Sequence, residues 1–230
     1  MTTDNPNLPR QGKIALRQPT ITYGIKPTKL ILNSTNPLLN YKGCFYRKEK
    51  FDPVLAYDTL KSHRWNVQWV TKYGRHQRSH YHAESHETMV VLSGSGVIRW
   101  GVADLSDDVK ETTYGDSYEG GGIEMDAKVG DVFVIPAGMA HKSYNPRSKN
   151  YDFRRLTGEA RVIEPNEFKN TVEHLPSTEF IMLGAYPHGS TWTWGGEGGE
   201  HDGQFESVWN VPKPEFDPIL GDEGGTCKYW

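Results

Sequence analysis

Val132-Phe133-Val134-Ile135 limits the fold more than any other segment of this 230-residue chain. It is apolar at every position, with Gly130-Asp131 on one side and Pro136-Ala137-Gly138 on the other. A run that short, with turn residues at both ends, suits a strand buried on both faces, as in a barrel or a sandwich of two sheets. The pattern recurs along the chain. Thr88 to Leu92 is a short apolar run ending in Ser93-Gly94-Ser95-Gly96, and Val97 to Val102 resumes as a strand. Ile123 and Met125 alternate with Glu124 and Asp126 in the period of a half-buried strand, and Phe180 to Ala185 reads as the last core strand. Many short strands separated by turns point to an all-β fold, a jelly roll or similar barrel.

The segments around these strands read differently. Residues 1–50 are polar and rich in Pro and Asn, and read as an N-terminal arm lying on the domain or on a partner. Asp52-Pro53 opens a helix expected over about 52–63, because Asp accepts from free amides and Pro suits the first helical position. Ala103 to Gly122 is acidic and glycine-rich and reads as a loop or hairpin excursion. Residues 146–178 form a polar insertion, and the chain from Tyr186 onward, rich in Gly, Trp and Pro, reads as mostly irregular.

Charge excludes some functions. With 26 basic and 29 acidic residues, a net charge of −3 and no basic run, the chain offers nucleic acid no footprint. No stretch approaches the roughly 20 apolar residues of a helical membrane span. MTTDNPNLPRQGK lacks the apolar core of a secretory signal, so Cys44 and Cys227 read as reduced thiols of a cytoplasmic protein, and the Asn33-Ser34-Thr35 acceptor reads as idle.

His80 and His82 are two apart, and on a strand such residues project from one face, where two imidazoles can share an ion. If Ala83 to His86 is a bend, Glu87 returns to the same point. His141 follows the buried strand and its Pro-Ala-Gly turn, so a neighbouring antiparallel strand would bring it there too. Three imidazoles and one carboxylate suit Fe, Mn, Co, Ni, Zn or Cu, and suit Mg or Ca poorly. Tyr81 should face the opposite way, His86 reads as a bend residue rather than a fifth ligand, and His76 as exposed.

At these residues the sequence resembles the cupin superfamily. Gly74 to Gly94, GRHQRSHYHAESHETMVVLSG, is similar to the first family motif, and Gly130 to Asn145, GDVFVIPAGMAHKSYN, is similar to the second. The resemblance implies an RmlC-like jelly-roll β-barrel with one divalent transition metal per chain. Carried over residue by residue, it makes His80, His82, Glu87 and His141 the ligands. A narrower resemblance, carried by the HYHxxxHE start, Gly184-Ala185-Tyr186-Pro187, Val211-Pro212-Lys213-Pro214 and Asp217-Pro218, is to a group of small, mostly uncharacterised bacterial and fungal cupins. It implies a single cupin domain over 51–222, with an irregular C-terminal extension and a tail at 223–230, and lends no settled reaction.

Cupins with three His and one Glu are often oxygenases. The resemblance therefore implies an Fe(II) dioxygenase acting on a small organic molecule, with Mn, Zn, Ni, Co or Cu as alternative metals. An isomerase, cyclase or decarboxylase is the alternative reaction, and a non-catalytic small-molecule binding protein the alternative class. Met89, Val91 and Val134 are the expected inward-facing pocket residues. The segment from Tyr186 to Trp194 is expected to fold over the barrel mouth, with His188 as acid/base and Tyr186, Trp192 and Trp194 against substrate; packing of the two tryptophans on the barrel exterior or in a dimer interface is the other reading. Since cupins commonly dimerise, the partners implied are a small-molecule substrate and a second copy in a homodimer.

Overall fold

The computed structural model describes residues 19–22, 25–158 and 161–230. Residues 1–18 of the expected N-terminal arm lie outside the described residues. In chain order the strands are β1 (Thr20–Thr22), β2 (Leu38–Tyr41), β3 (Tyr46–Arg47), β4 (Lys50–Phe51), β5 (Trp65–Lys72), β6 (Glu87–Ser93), β7 (Ser95–Trp100), β8 (Ile123–Lys128), β9 (Val132–Ile135), β10 (His141–Tyr144), β11 (Arg154–Thr157) and β12 (Ile181–Pro187). The helices are α1 (Pro53–Ser62), α2 (Val109–Tyr114), α3 (Pro165–Val172), α4 (Phe205–Trp209) and α5 (Thr226–Tyr229). A seven-stranded sheet runs β1-β2-β9-β6-β12-β5-β11, a three-stranded sheet runs β10-β7-β8, and β3 with β4 makes a small hairpin. All pairings are antiparallel.

The large sheet is buried on both faces, which is why β9 is apolar at every position. In β9, Phe133 and Ile135 face inward, onto Ile98 and Trp100 of the small sheet. Val132 and Val134 face outward, beneath α1 and α3, in a cluster with Leu55, Leu60 and Phe168. Period-2 alternation carries the same division into β6, where Met89 and Val91 are inside and Val90 and Leu92 outside. Val134 was expected in the pocket. It lies on the opposite face, since a run with no polar residue gives no sign of which parity is inward.

The helix expected over 52–63 is α1. Asp52 Oδ1 accepts from Leu55 N–H at 3.0 Å and Pro53 opens the first turn, a cap worth about 1 kcal/mol. Elsewhere the structure is more regular than the sequence suggested. Leu38–Tyr41, within the supposed arm, is fully buried as β2 between β1 and β9. A four-residue strand containing Asn40 carries too short a pattern to stand out in a polar segment. The excursion at 103–122 contains α2, whose N-terminus Asp108 caps. Buried Lys142 and Arg99 pin it by donating to Thr112 O at 3.0 and 2.7 Å. The insertion at 146–178 contains edge strand β11 and α3, and the expected irregular tail contains two short helices.

Candidate metal centre

The site is assembled by backbone pairing before any side chain takes part. His80 N–H donates to His141 O (3.1 Å) and His141 N–H returns to His80 O (2.8 Å), an antiparallel bridge that sets the two side chains on one face. His82, two residues on, shares that face, and its ring lies 5.6 Å from that of His80 and 5.7 Å from that of His141. The chain bends at Ala83 and Glu84 and enters β6 at Glu87, on the parity of Met89 and Val91. One nitrogen from each of His80, His82 and His141 lies within 4.8 Å of the others, and all three residues are buried. They form a group able to hold a metal ion.

The hydrogen bonds of the rings fix which nitrogen is offered. Nδ1 of His80 meets Arg78 O at 3.2 Å, Nδ1 of His82 meets Thr193 O at 2.5 Å, and Nδ1 of His141 meets Met139 O at 3.3 Å. A carbonyl only accepts, so each Nδ1 carries the proton and each Nε2 presents a lone pair. Glu87 Oε2 stands 3.4 Å from His82 Nε2 and 3.2 Å from His141 Nε2. Neither Oε2 nor His82 Nε2 has a hydrogen-bond partner, although both are buried. Lone pairs facing one another at that range require a proton or a cation between them. The donor set therefore fits a transition metal ion.

The electrostatics agree. Burial opposes a charged His82, but the Glu87 carboxylate outweighs it and holds the His82 pKa above its usual value. Burial also opposes ionised Glu87, yet His82 and His141 hold its pKa well below the usual carboxylate range. Burial and the two neighbouring imidazoles push His80 well below its usual value. The outer oxygen of the carboxylate, Oε1, accepts from the Tyr186 hydroxyl, which in turn accepts from Trp69 Nε1 at 3.0 Å.

Besides Val134, one expected site residue, His188, lies elsewhere, and His86 and His76 have places of their own. His86 uses the opposite tautomer from the other three, since its Nδ1 accepts from Ala137 N–H at 3.0 Å and its Nε2 donates to Pro212 O at 3.2 Å. It braces the Pro136–Gly138 turn and is held neutral, its pKa lowered to about 4 by burial. His188 is exposed, 3.4 Å from Asn66 Nδ2, in a groove of about 270 Å³ with Arg64, Glu84 and Lys213. β12 ends at Pro187, and the turn that follows carries His188 outward, so the inward residue is Tyr186. His76, expected exposed, is half-buried between Tyr114 and Tyr151. Met89, Val91 and Tyr186 do face inward, Trp192 packs against their cluster, and Trp194 stacks on His80. Tyr81 points away, to His201 Nδ1 at 2.7 Å.

The sequence placed Tyr186 to Trp194 over the barrel mouth but gave no sign of how residues 193–196 are tied down as a strap. Gly195 N–H donates to Tyr81 O, Tyr81 N–H donates to Gly196 O, and Thr193 O anchors His82. These are backbone contacts, which leave no residue signature. Trp69 was also missed, although Gly184 in β12 marks its place.

Residues 76–153 match the family model described as Cupin. The uncharacterized protein YjlB of Bacillus subtilis (strain 168) is 24% identical over 186 residues, covering 80% of this chain and 83% of the relative. Among solved structures, RmlC from Streptococcus suis in complex with dTDP-D-xylose overlaps 73% of each chain at 12% identity and a TM-score of 0.32. The Lactobacillus farciminis oxalate decarboxylase formate complex overlaps 54% of this chain at 15% identity and a TM-score of 0.27, and the chain spans 25% of its length. Overlap that loose leaves the fold to the chain's own sheets. The match to the cupin model over residues 76–153 covers the segment that carries His80, His82, Glu87 and His141, and the two antiparallel sheets with the imidazoles converging between them make this chain similar to the cupins there.

Proposed function

We propose that this chain is a metal-dependent enzyme acting on a small organic molecule, with one divalent ion held by His80, His82, Glu87 and His141, and that it is an Fe(II) dioxygenase. The carrying observation is that His82 Nε2 and Glu87 Oε2 are buried, 3.4 Å apart and without a hydrogen-bond partner, with His141 Nε2 3.2 Å from the same oxygen. Iron(II) held by these four residues would activate dioxygen, the oxidant that takes electrons from the bound substrate.

The residues divide the remaining work. The three carbonyl contacts orient the imidazoles, and burial excludes bulk water from their lone pairs. Met89, Val91 and Trp192 offer an apolar wall to the substrate, and Trp194 shields His80. The isomerase or cyclase reading needs a proton-transfer residue at the ion. His188, the residue the sequence offered, lies exposed in a separate groove, which favours the oxygenase.

The test is elemental analysis of protein purified without added metal, followed by oxygen uptake with candidate phenols and oxo-acids. Bound iron with substrate-dependent oxygen consumption is the expected result. Zinc or nickel with no oxygen uptake would move the assignment to an isomerase or decarboxylase. Failure to retain or take up any transition metal would remove the metal centre itself.

A further inference from the structure

Glu87 is the only one of the four proposed ligands whose second polar atom is held by a side chain rather than by backbone, and that side chain is Tyr186. The direction of the bond is fixed. An indole N–H only donates, so Trp69 Nε1, 3.0 Å away, uses the phenol oxygen as its acceptor and leaves the phenol hydrogen for Glu87 Oε1. Trp69 has little freedom. It is the register partner of Gly184 on β12, and a Cβ at Gly184 would come within 1.9 Å of its ring, so the indole lies over a strand position that only glycine leaves open. Tyr73 meets the same ring edge-on at 6.5 Å. Trp69 and Tyr186 are both buried, and Tyr186 is also edge-on to His82, with ring centroids 5.7 Å apart.

We infer that Tyr186, oriented by Trp69 across Gly184, is a positioning residue that occupies Oε1 of Glu87 and restricts this carboxylate to one oxygen, Oε2, at the ion. The inference rests on the metal centre proposed above. A carboxylate with both oxygens free can chelate and close an additional coordination position, whereas one whose outer oxygen takes a charge-assisted hydrogen bond presents a single donor. The relay thus keeps a position available to substrate. It also recasts Tyr186, whose hydroxyl is committed at both ends, from a substrate contact to a support of the ligand.

The experiment loads the parent chain, Tyr186→Phe and Trp69→Phe with cobalt(II), and records affinity by titration, the visible d–d spectrum, and folding by circular dichroism. For Y186F the expected result is a native fold, a d–d spectrum shifted towards a higher coordination number, and an affinity changed by roughly tenfold or more, because the freed Oε1 can chelate the ion. W69F should move both readouts the same way by less, and it decides the matter if Y186F does not fold. A folded variant with the affinity and spectrum of a parent that binds cobalt would overturn the inference and leave the metal centre standing. A parent that takes up no cobalt would remove the metal centre and the inference together.

Discussion

Trp194 lies flat on His80, with ring centroids 4.4 Å apart and 6° between the planes. The indole covers one face of a proposed ligand while 45% of its own surface stays exposed. An ion bound through His80 Nε2 would sit close enough to a fluorophore to report on itself. Titration with copper(II) or cobalt(II) should quench tryptophan emission, and Trp194→Phe should lose the largest part of that quench. A stack of this kind contributes about 0.5–1.5 kcal/mol, so affinity in the variant should fall by no more than about tenfold. A quench of undiminished size in W194F would place the ion away from His80.

Glu87→Gln keeps the shape of the side chain and replaces an anionic oxygen by a neutral amide. Metal affinity should fall by more than the roughly 10- to 100-fold that supporting residues contribute, and His82→Ala should behave likewise. Isothermal titration measures both, with thermal melts as the control for folding. H82A protein that holds metal as tightly as the parent would break the ligand assignment.

The proton between His82 and Glu87 gives a pH signature. The folded-state pKa of His82 is raised, so its contribution to stability is fully present below the ordinary value of 6.5 and is lost as pH rises through the folded value. The pKa of Glu87 is depressed, so its contribution is present above the ordinary 4.5 and is lost as pH falls through the folded value. Both shifts favour a proton between His82 Nε2 and Glu87 Oε2 when no metal ion is bound, and a metal ion must displace that proton where it is present. Metal binding at pH 7 should release a proton, read from the dependence of the binding enthalpy on buffer ionisation, and affinity should fall as pH is lowered. Zero proton release would contradict the buried pair.

His86 works in the opposite sense. Burial lowers its pKa from 6.5 to about 4, so the unfolded chain takes up a proton that the folded chain refuses. Stability should decline as pH falls from 6.5 towards 4, with up to about 3 kcal/mol at stake from this one group. Urea unfolding across that range should show a shallower decline in His86→Gln, which has no proton to gain. Equal slopes for parent and variant would mean that His86 is protonated in the folded chain.

Gly184→Ala tests the support beneath Trp69. A Cβ within 1.9 Å of the indole cannot be accommodated without moving the ring or the strand. The expected loss is at least the 1–3 kcal/mol of ordinary overpacking, or about 2 °C or more in Tm. A melt within 1 °C of the parent would show that the ring has room to move, and roughly equal stability would follow.

Much of the centre was legible before the fold was known, because His80, His82, Glu87 and His141 sit where local geometry already speaks. Two residues apart on extended chain means one face, and a turn after a buried strand means a return. Other features were hidden for definite reasons. Val134 sat in a run without polar residues, so its parity was undetermined. β2 was too short and α2 too polar to stand out from the segments around them. His188 and Tyr186 are two residues apart, and only the end of β12 at Pro187 separates the inward residue from the exposed one.

The sequence by itself determined the residue types of the cluster and most of the core strands around it, because residue type and strand periodicity are local properties. Only the tertiary structure decided which nitrogen His82 offers, that one oxygen of Glu87 is taken by Tyr186, and that Trp194 rather than His188 lies against His80. Those choices depend on a carbonyl, a phenol and an indole brought from about a hundred residues away in the chain, in the contacts of His82 with Thr193, Glu87 with Tyr186 and His80 with Trp194. No local pattern encodes a partner that only chain folding brings within hydrogen-bonding distance.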